Sequence, residues 1–190
     1  MKINDLTKLF GNKKIFNNFS FSIPDNKITF VMGESGSGKT TLLRIIAGLD
    51  KDYKGEIIGL NDKISYVFQE PRLLPALNII ENIELVERGS KLNAHEILSI
   101  LELENDKLLY PDELSGGMKM RVSLARALYH NGDIFIMDEP FSALDDDLKN
   151  RILPKIFDLL NKKTLTPLHI YYKPSDIHLL DMILPFRSPS

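Results

Sequence analysis

The chain has 190 residues, 43% hydrophobic and 26% charged, which suits one folded α/β unit with a well-buried core and excludes a largely disordered chain. Lys and Arg total 24 against 26 Asp and Glu, a net charge of −2, so no global basic field points to nucleic acid, and none is expected as a partner. The absence of cysteine excludes a disulfide framework and a thiolate metal site, and the apolar runs are strand-sized, below the roughly 18 residues of a membrane span.

The start, Met1-Lys2-Ile3-Asn4-Asp5, lacks the apolar stretch of a secretory signal, so a cytosolic location is expected. Apolar residues at Phe16, Phe19, Phe21 and Ile23 read as strand, Pro24-Asp25-Asn26 as a turn, and Ile28, Phe30 and Val31 as a short buried strand running into glycine. From Lys39 the spacing becomes helical through Leu42, Leu43, Ile46 and Ala47, until Gly48 stops it. The stretch from about Leu77 to Leu109 carries helical periodicity in two or three pieces, with Asn93 as an N-cap before Ile97, Leu98 and Leu101. A helix follows at about 118–128, a strand at 134–137, a helix around 146–160 and a strand near 168–172. This alternation predicts a mainly parallel sheet covered by helices.

Between the second predicted strand and the first helix, Gly33-Glu34-Ser35-Gly36-Ser37-Gly38-Lys39-Thr40 matches G-x-x-x-x-G-K-[ST] at every fixed position. Glycines let such a loop turn its N–H groups inward, and the helix start adds its positive end, so Gly33 to Thr41 form a cradle for phosphate oxygens. Lys39 is expected to neutralise the β- and γ-phosphates and Thr40 to ligate Mg²⁺. A chance match would occur in roughly one chain of this size in a hundred, and the strand-loop-helix setting lowers that further. The loop alone names a ligand class and no activity.

Leu114-Ser115-Gly116-Gly117 opens the helix at 118–128. Ser115 can cap that helix, and Gly116 and Gly117 let an anion approach its positive end, although Ser-Gly-Gly by itself is as readily a flexible turn. Farther on, the apolar run Ile134-Phe135-Ile136-Met137 ends in Asp138-Glu139-Pro140, and neighbouring strand residues point to opposite faces, which allows the two carboxylates different jobs.

With the Ser115 motif in place, the chain resembles the ATP-binding cassette family, whose motifs it carries in order from Phe10 to Asp145 over most of its length. Ile134 to Glu139 looks like its Walker B segment, Gln69 in Tyr66-Val67-Phe68-Gln69-Glu70-Pro71 like its Q-loop, and Ser142-Ala143-Leu144-Asp145 like its D-loop. Phe10, ahead of Gly11, matches the aromatic on which adenine stacks, with a core phenylalanine as the competing reading. The resemblance implies a P-loop core with a small antiparallel β region and a helical subdomain at about 72–128, all in one domain over 1–190. It implies that Asp138, Thr40 and Gln69 hold Mg²⁺, and that Glu139 is the general base toward ATP. It further implies that two copies pair head to tail, with Ser115 to Gly117 of one closing on ATP in the other, against a transmembrane permease at the inner face of the membrane and, in the full system, a solute-binding protein. The Gln69 segment and Met118 look most like importers of nitrate, sulfonates and taurine.

Two features depart from that pattern. Lys173 stands where the family carries a histidine on the γ-phosphate, and a lysine cannot act as a neutral donor and acceptor; His169 and His178 read as structural. The chain also ends soon after the expected last strand, so the family's C-terminal helices are expected to be absent. Together they leave open a degenerate cassette with a regulatory role and little hydrolysis. A chromosome-maintenance ATPase would need a long coiled-coil insertion between Gln69 and Ser115, for which the interval is too short.

Overall fold

The structure is a computed structural model that describes residues 1–24, 29–31, 36–60, 63–87, 90, 92–130, 132–162 and 168–171. Strand β1 (Lys2–Phe10) and strand β2 (Lys13–Ser22) form an antiparallel hairpin, closed where Phe10 pairs with Lys13. Strand β3 (Thr29–Val31) precedes the glycine loop and helix α1 (Lys39–Ile46) follows it. Strand β4 (Lys54–Ile58) pairs with β1 and completes a three-stranded antiparallel sheet in the order β2-β1-β4.

Neither β1 nor β4 is legible as a strand, for one shared reason. Asp5 takes a positive φ of 52°, and the register slips between Ile3 and Leu6, so the two buried apolar residues of β1 stand three apart instead of two. The bulged backbone presses on β4. A Cβ at Gly55, whose φ is 105°, would lie 2.6 Å from the Asn4 carbonyl oxygen and 2.7 Å from that of Asp5, so only glycine fits.

Strand β5 (Ile64–Val67) leads into the Gln69 segment, followed by helix α2 (Ile79–Glu84) and helix α3 (Ala94–Ile100). Asn78 and Glu81 cap α2 reciprocally, and the Asn93 side chain caps α3 as its sequence predicts. Asn82, 1% exposed, accepts from the Leu74 amide at 2.8 Å and donates to the Leu74, Leu77 and Asn78 carbonyls, which moors the segment between β5 and α2. Helix α4 (Gly116–His130), strand β6 (Ile134–Met137), helix α5 (Asp146–Lys162) and strand β7 (Leu168–Tyr171) complete the described chain.

The second sheet is parallel throughout, in the order β3-β7-β6-β5. All four residues of β6 are buried because both faces are covered. Ile134 and Ile136 join α1 and the inner side of β1 in one apolar cluster, while Phe135 and Met137 join α2 to α5 in the other. The loops that follow β3, β5 and β6 therefore all leave the same edge of one sheet, the carboxyl edge where open α/β sheets bind ligands.

Candidate functional site

Three loops meet at that edge. Gly38 precedes α1 with φ 99°, and a Cβ there would collide with Ile15 Cγ2 of β2 and come within 3.1 Å of the Phe16 ring, so glycine is required. The first turn of α1 carries no acidic residue and no side-chain cap, which leaves its amides turned toward the cleft. Lys39 is 8% exposed and its Nζ donates to Ser37 Oγ at 3.2 Å. Gly36, Gly38, Lys39, Thr40 and Thr41 line a cleft of about 240 Å³ together with Ile15, Gln69 and Glu139. Gly33, Glu34 and Ser35, the first part of the expected cradle, lie outside the described residues, as do Lys173 and His178.

Asp138 sits beneath this cleft, 2% exposed. Its Oδ1 accepts from Thr40 Oγ1 at 3.1 Å across 98 residues of sequence, and its Oδ2 accepts from the Tyr66 hydroxyl at 3.3 Å. Burial pushes its carboxyl above the ordinary aspartate value, opposed by the two hydrogen bonds. Burial, then the charge of Asp138, raises the Tyr66 phenol far above its usual value, so it stays a donor. A threonine hydroxyl beside a buried carboxylate, at the start of a helix facing this cleft, is a hard oxygen set that suits Mg²⁺.

The raised pKa gives a stability prediction. A carboxyl whose folded pKa exceeds its unfolded value costs stability once pH climbs past both. Asp138→Asn is therefore expected to melt at a higher temperature than the parent in nucleotide-free, metal-free buffer at pH 7. The difference should shrink as pH falls through the raised folded value and vanish below the unfolded aspartate value of 3.8, where both states are protonated. Scanning calorimetry across pH checks it; a parent that melts higher at pH 7 would contradict it.

Glu139 diverges from Asp138 by a route that strand pleating does not provide. The strand ends at Met137, and Glu139 takes a left-handed φ of 50°, unusual for a residue with a side chain. Ser142 holds that turn by donating from N at 3.3 Å and Oγ at 3.0 Å to the Glu139 carbonyl. The half-buried Glu139 carboxylate is thereby aimed into the cleft, where its Oε2 accepts from Gln69 Nε2 at 3.4 Å. Thus the structure brings Lys39, Thr40, Gln69, Asp138 and Glu139 to one place.

Ser115 caps α4 through Oγ, which accepts from the Met118 amide at 3.2 Å. Around Gly116 the space is open, while a Cβ at Gly117 would stand 3.2 Å from the Ala143 carbonyl oxygen, so the Ser-Gly-Gly turn packs on the loop holding Asp145. Asp145 accepts from the Leu148 amide at 2.8 Å and caps α5. The described residues lining the cleft include none of Ser115, Gly116, Gly117 and Asp145. Among the described residues of one copy, the Ser115 turn and the Asp145 loop stand apart from this cleft.

Phe10 is 53% exposed at the end of the β1–β2 hairpin, which rules out the core reading. Ile15 and Tyr66 are site residues that inspection of the sequence does not single out. Ile15 closes on Gly38 from the neighbouring sheet, and Tyr66 reaches Asp138 across 72 residues; neither carries a local signal.

A family model described as ABC transporter matches residues 16–142. The aliphatic sulfonates import ATP-binding protein SsuB of Bacillus anthracis is 35% identical over 185 residues, covering 90% of this chain and 74% of that protein. Aliphatic sulfonates import ATP-binding protein SsuB 1 of Pseudomonas savastanoi pv. phaseolicola is 31% identical over 191 residues, covering 99% and 81%. Among solved structures, the dimeric post-hydrolysis state of the ATP-binding cassette MJ0796 bound to ADP and Pi superposes with a TM-score of 0.76 at 31% identity, covering 94% of this chain and 89% of that one.

Proposed function

We propose, since this chain belongs to the ABC transporter family, that it powers the import of a small organic or anionic solute, with an aliphatic sulfonate as the first to test. It is an ATP-binding subunit and an ATPase that uses ATP with Mg²⁺. The observation that carries the reading is the meeting of Lys39, Thr40, Asp138, Gln69 and Glu139 at one sheet edge. No helix among the described residues is long and apolar enough to cross a membrane. The similarity to import ATP-binding proteins supports a separate permease that carries the solute path and holds this subunit at the inner face of the membrane. A solute-binding protein would deliver the solute. The chain is proposed to be one nucleotide-binding domain over 1–190, its helical subdomain spanning about 72–128.

Each residue's proposed work follows from its position. The amides at the start of α1, with Gly33 to Thr41, hold the phosphates, and Lys39 lays its ammonium along the β- and γ-oxygens. Thr40 and Asp138 hold Mg²⁺, with Gln69 at its rim; when bound, the ion neutralises charge on the phosphate oxygens. Glu139 takes a proton from water in the cleft as that water's oxygen bonds to the γ-phosphorus and the bond from phosphorus to the β-bridging oxygen breaks, leaving ADP and phosphate. Gln69, touching Glu139, is placed to report the state of the cleft to the permease. Phe10 stacks on adenine, and Lys173 is the proposed positive contact to the γ-phosphate.

Dimerisation explains why the Ser115 turn stands apart from the cleft in one copy. Two copies related by a two-fold axis, head to tail, bring Ser115, Gly116 and Gly117 of each against the γ-phosphate held by the other, with the Asp145 loops at the junction. The similar cassette MJ0796 is dimeric, which supports this arrangement. ATP then closes the pair, and hydrolysis followed by phosphate release reopens it.

Ser115→Arg tests the pairing. The variant is expected to bind ATP with the parent's affinity and to lose hydrolysis by about a hundredfold or more, because a preorganised contact to the reacting phosphate is replaced by bulk. Equilibrium binding and phosphate release read the two quantities separately; a variant that hydrolyses like the parent would overturn the assignment of the turn. Solute uptake by vesicles carrying the cognate permease, in the presence and absence of ATP, tests the transport role.

A further inference from the structure

Lys8, two residues before Phe10 on β1, is a lysine where burial is costly: it is 3% exposed. Its Nζ donates to Asp50 Oδ1 at 2.9 Å, to the Asp52 carbonyl at 2.6 Å and to Asp52 Oδ2 at 3.3 Å. These three bonds use its three donors. Asp50 is itself only 17% exposed, and its hydrogen bond raises the lysine's pKa as the lysine lowers its own, so both stay charged. The ammonium also lies 4.9 Å from the centroid of the Phe10 ring, within cation–π reach.

The position of the clamp matters. Asp50 belongs to the turn that ends α1, where the Leu49 and Asp50 amides both donate to the Arg44 carbonyl, at 2.8 and 3.2 Å. The other end of the same helix carries Lys39 and Thr40 in the phosphate cleft. Eight residues of helix span about 12 Å, so one short rigid element fixes the phosphate cradle at its start and Lys8 just past its end. Phe10 is half exposed at a hairpin tip, and the cation locked to α1 supplies an orienting contact to its ring.

We propose that Lys8 is a positioning residue for the nucleotide base: clamped by Asp50 and Asp52, its ammonium holds the Phe10 ring where adenine stacks and ties that ring to the helix bearing the phosphate cradle. The role rests on the ATP-binding function above and adds to it a device that couples recognition of base and phosphate. Lys8 reaches the nucleotide only through Phe10. Its loss should weaken ATP and leave a ligand with phosphates and no base untouched.

The test compares dissociation constants of ATP and of inorganic tripolyphosphate, with Mg²⁺, by calorimetry on the full chain. Lys8→Met is expected to weaken ATP about fivefold, part of what a base-stacking aromatic is worth, and to leave tripolyphosphate within about twofold. Because Lys8→Met strands the Asp50 charge and could disturb folding, the Lys8→Met/Asp50→Asn pair, which removes both charges, is measured beside it and should show the same selective loss. Lys8→Arg should keep most of the ATP affinity. In a Phe10→Ala background, Lys8→Met should cost ATP nothing further. The inference is overturned if the double variant weakens both ligands equally, leaves ATP unchanged or tightens it, or if Lys8→Met costs as much without Phe10 as with it. Absence of ATP binding by the unaltered chain would sink the function as well, so the two failures are told apart by the first titration.

Discussion

Glu139→Gln is expected to abolish turnover while leaving ATP binding intact. A glutamine keeps the length of the side chain and an oxygen for Gln69 Nε2 to donate to, so the cleft retains its shape. What it loses is the basicity to take a proton from the attacking water, worth about 10²- to 10⁴-fold in rate. The left-handed turn at Glu139 is held through its backbone carbonyl by Ser142, which the substitution does not touch. Phosphate release should therefore fall by that factor, with the ATP dissociation constant within about threefold of the parent. The consequence reaches past the active site: with the base gone, ATP accumulates unhydrolysed and the closed dimer persists. Equal phosphate release by parent and variant would remove Glu139 from its role.

Lys39→Ala should have the larger effect on binding. The ammonium is buried at the floor of the cleft, next to Ser37 and the start of α1, where a charge-assisted contact to phosphate is poorly screened by water. Hydrogen bonds to charged groups are each worth about 1.5–3 kcal/mol, and Lys39 is placed to make more than one, so a loss of about a hundredfold or more in ATP affinity is expected. Circular dichroism should show the fold unchanged, because alanine suits the first turn of a helix. An affinity for ATP within about threefold of the parent would contradict the assignment of the cradle.

Much of this site is legible in the amino-acid sequence because its parts are local. A strand, a glycine loop and the helix from Lys39 follow one another within a few residues, and Asn93, Gly48 and Ser115 mark helix ends by well-understood rules. Strand β6 is legible because both its faces are buried, so all four residues are apolar. What escapes is whatever depends on contacts between distant segments. The bulge at Asp5 breaks the alternation of β1, and β4 is a largely exposed strand whose Gly55 exists to clear that bulge. In β5, Ser65 and Tyr66 disguise the strand by polarity: Ser65 Oγ accepts from the Gly132 amide, and the Tyr66 hydroxyl reaches Asp138. Sequence reading names Asp138 and Glu139 as partners of different kinds, yet it assigns their divergence to strand pleating, whereas a left-handed residue beyond the strand achieves it. The exposure of Phe10 and the clamp on Lys8 are likewise invisible until β1 is seen against the end of α1.

In the proposed pair each ATP is completed by a second copy of the chain, and mixing two inactive variants separates this arrangement from a site completed within one copy. Lys39→Ala has a broken cradle and an intact Ser115 turn; Ser115→Arg has the reverse. In a head-to-tail pair, one of the two sites joins the intact parts of both, so equal amounts mixed at random should recover about a quarter of the parent's sites and show phosphate release well above the sum of the two variants alone. If the mixture releases no more phosphate than that sum, each copy completes its own site and the account is wrong.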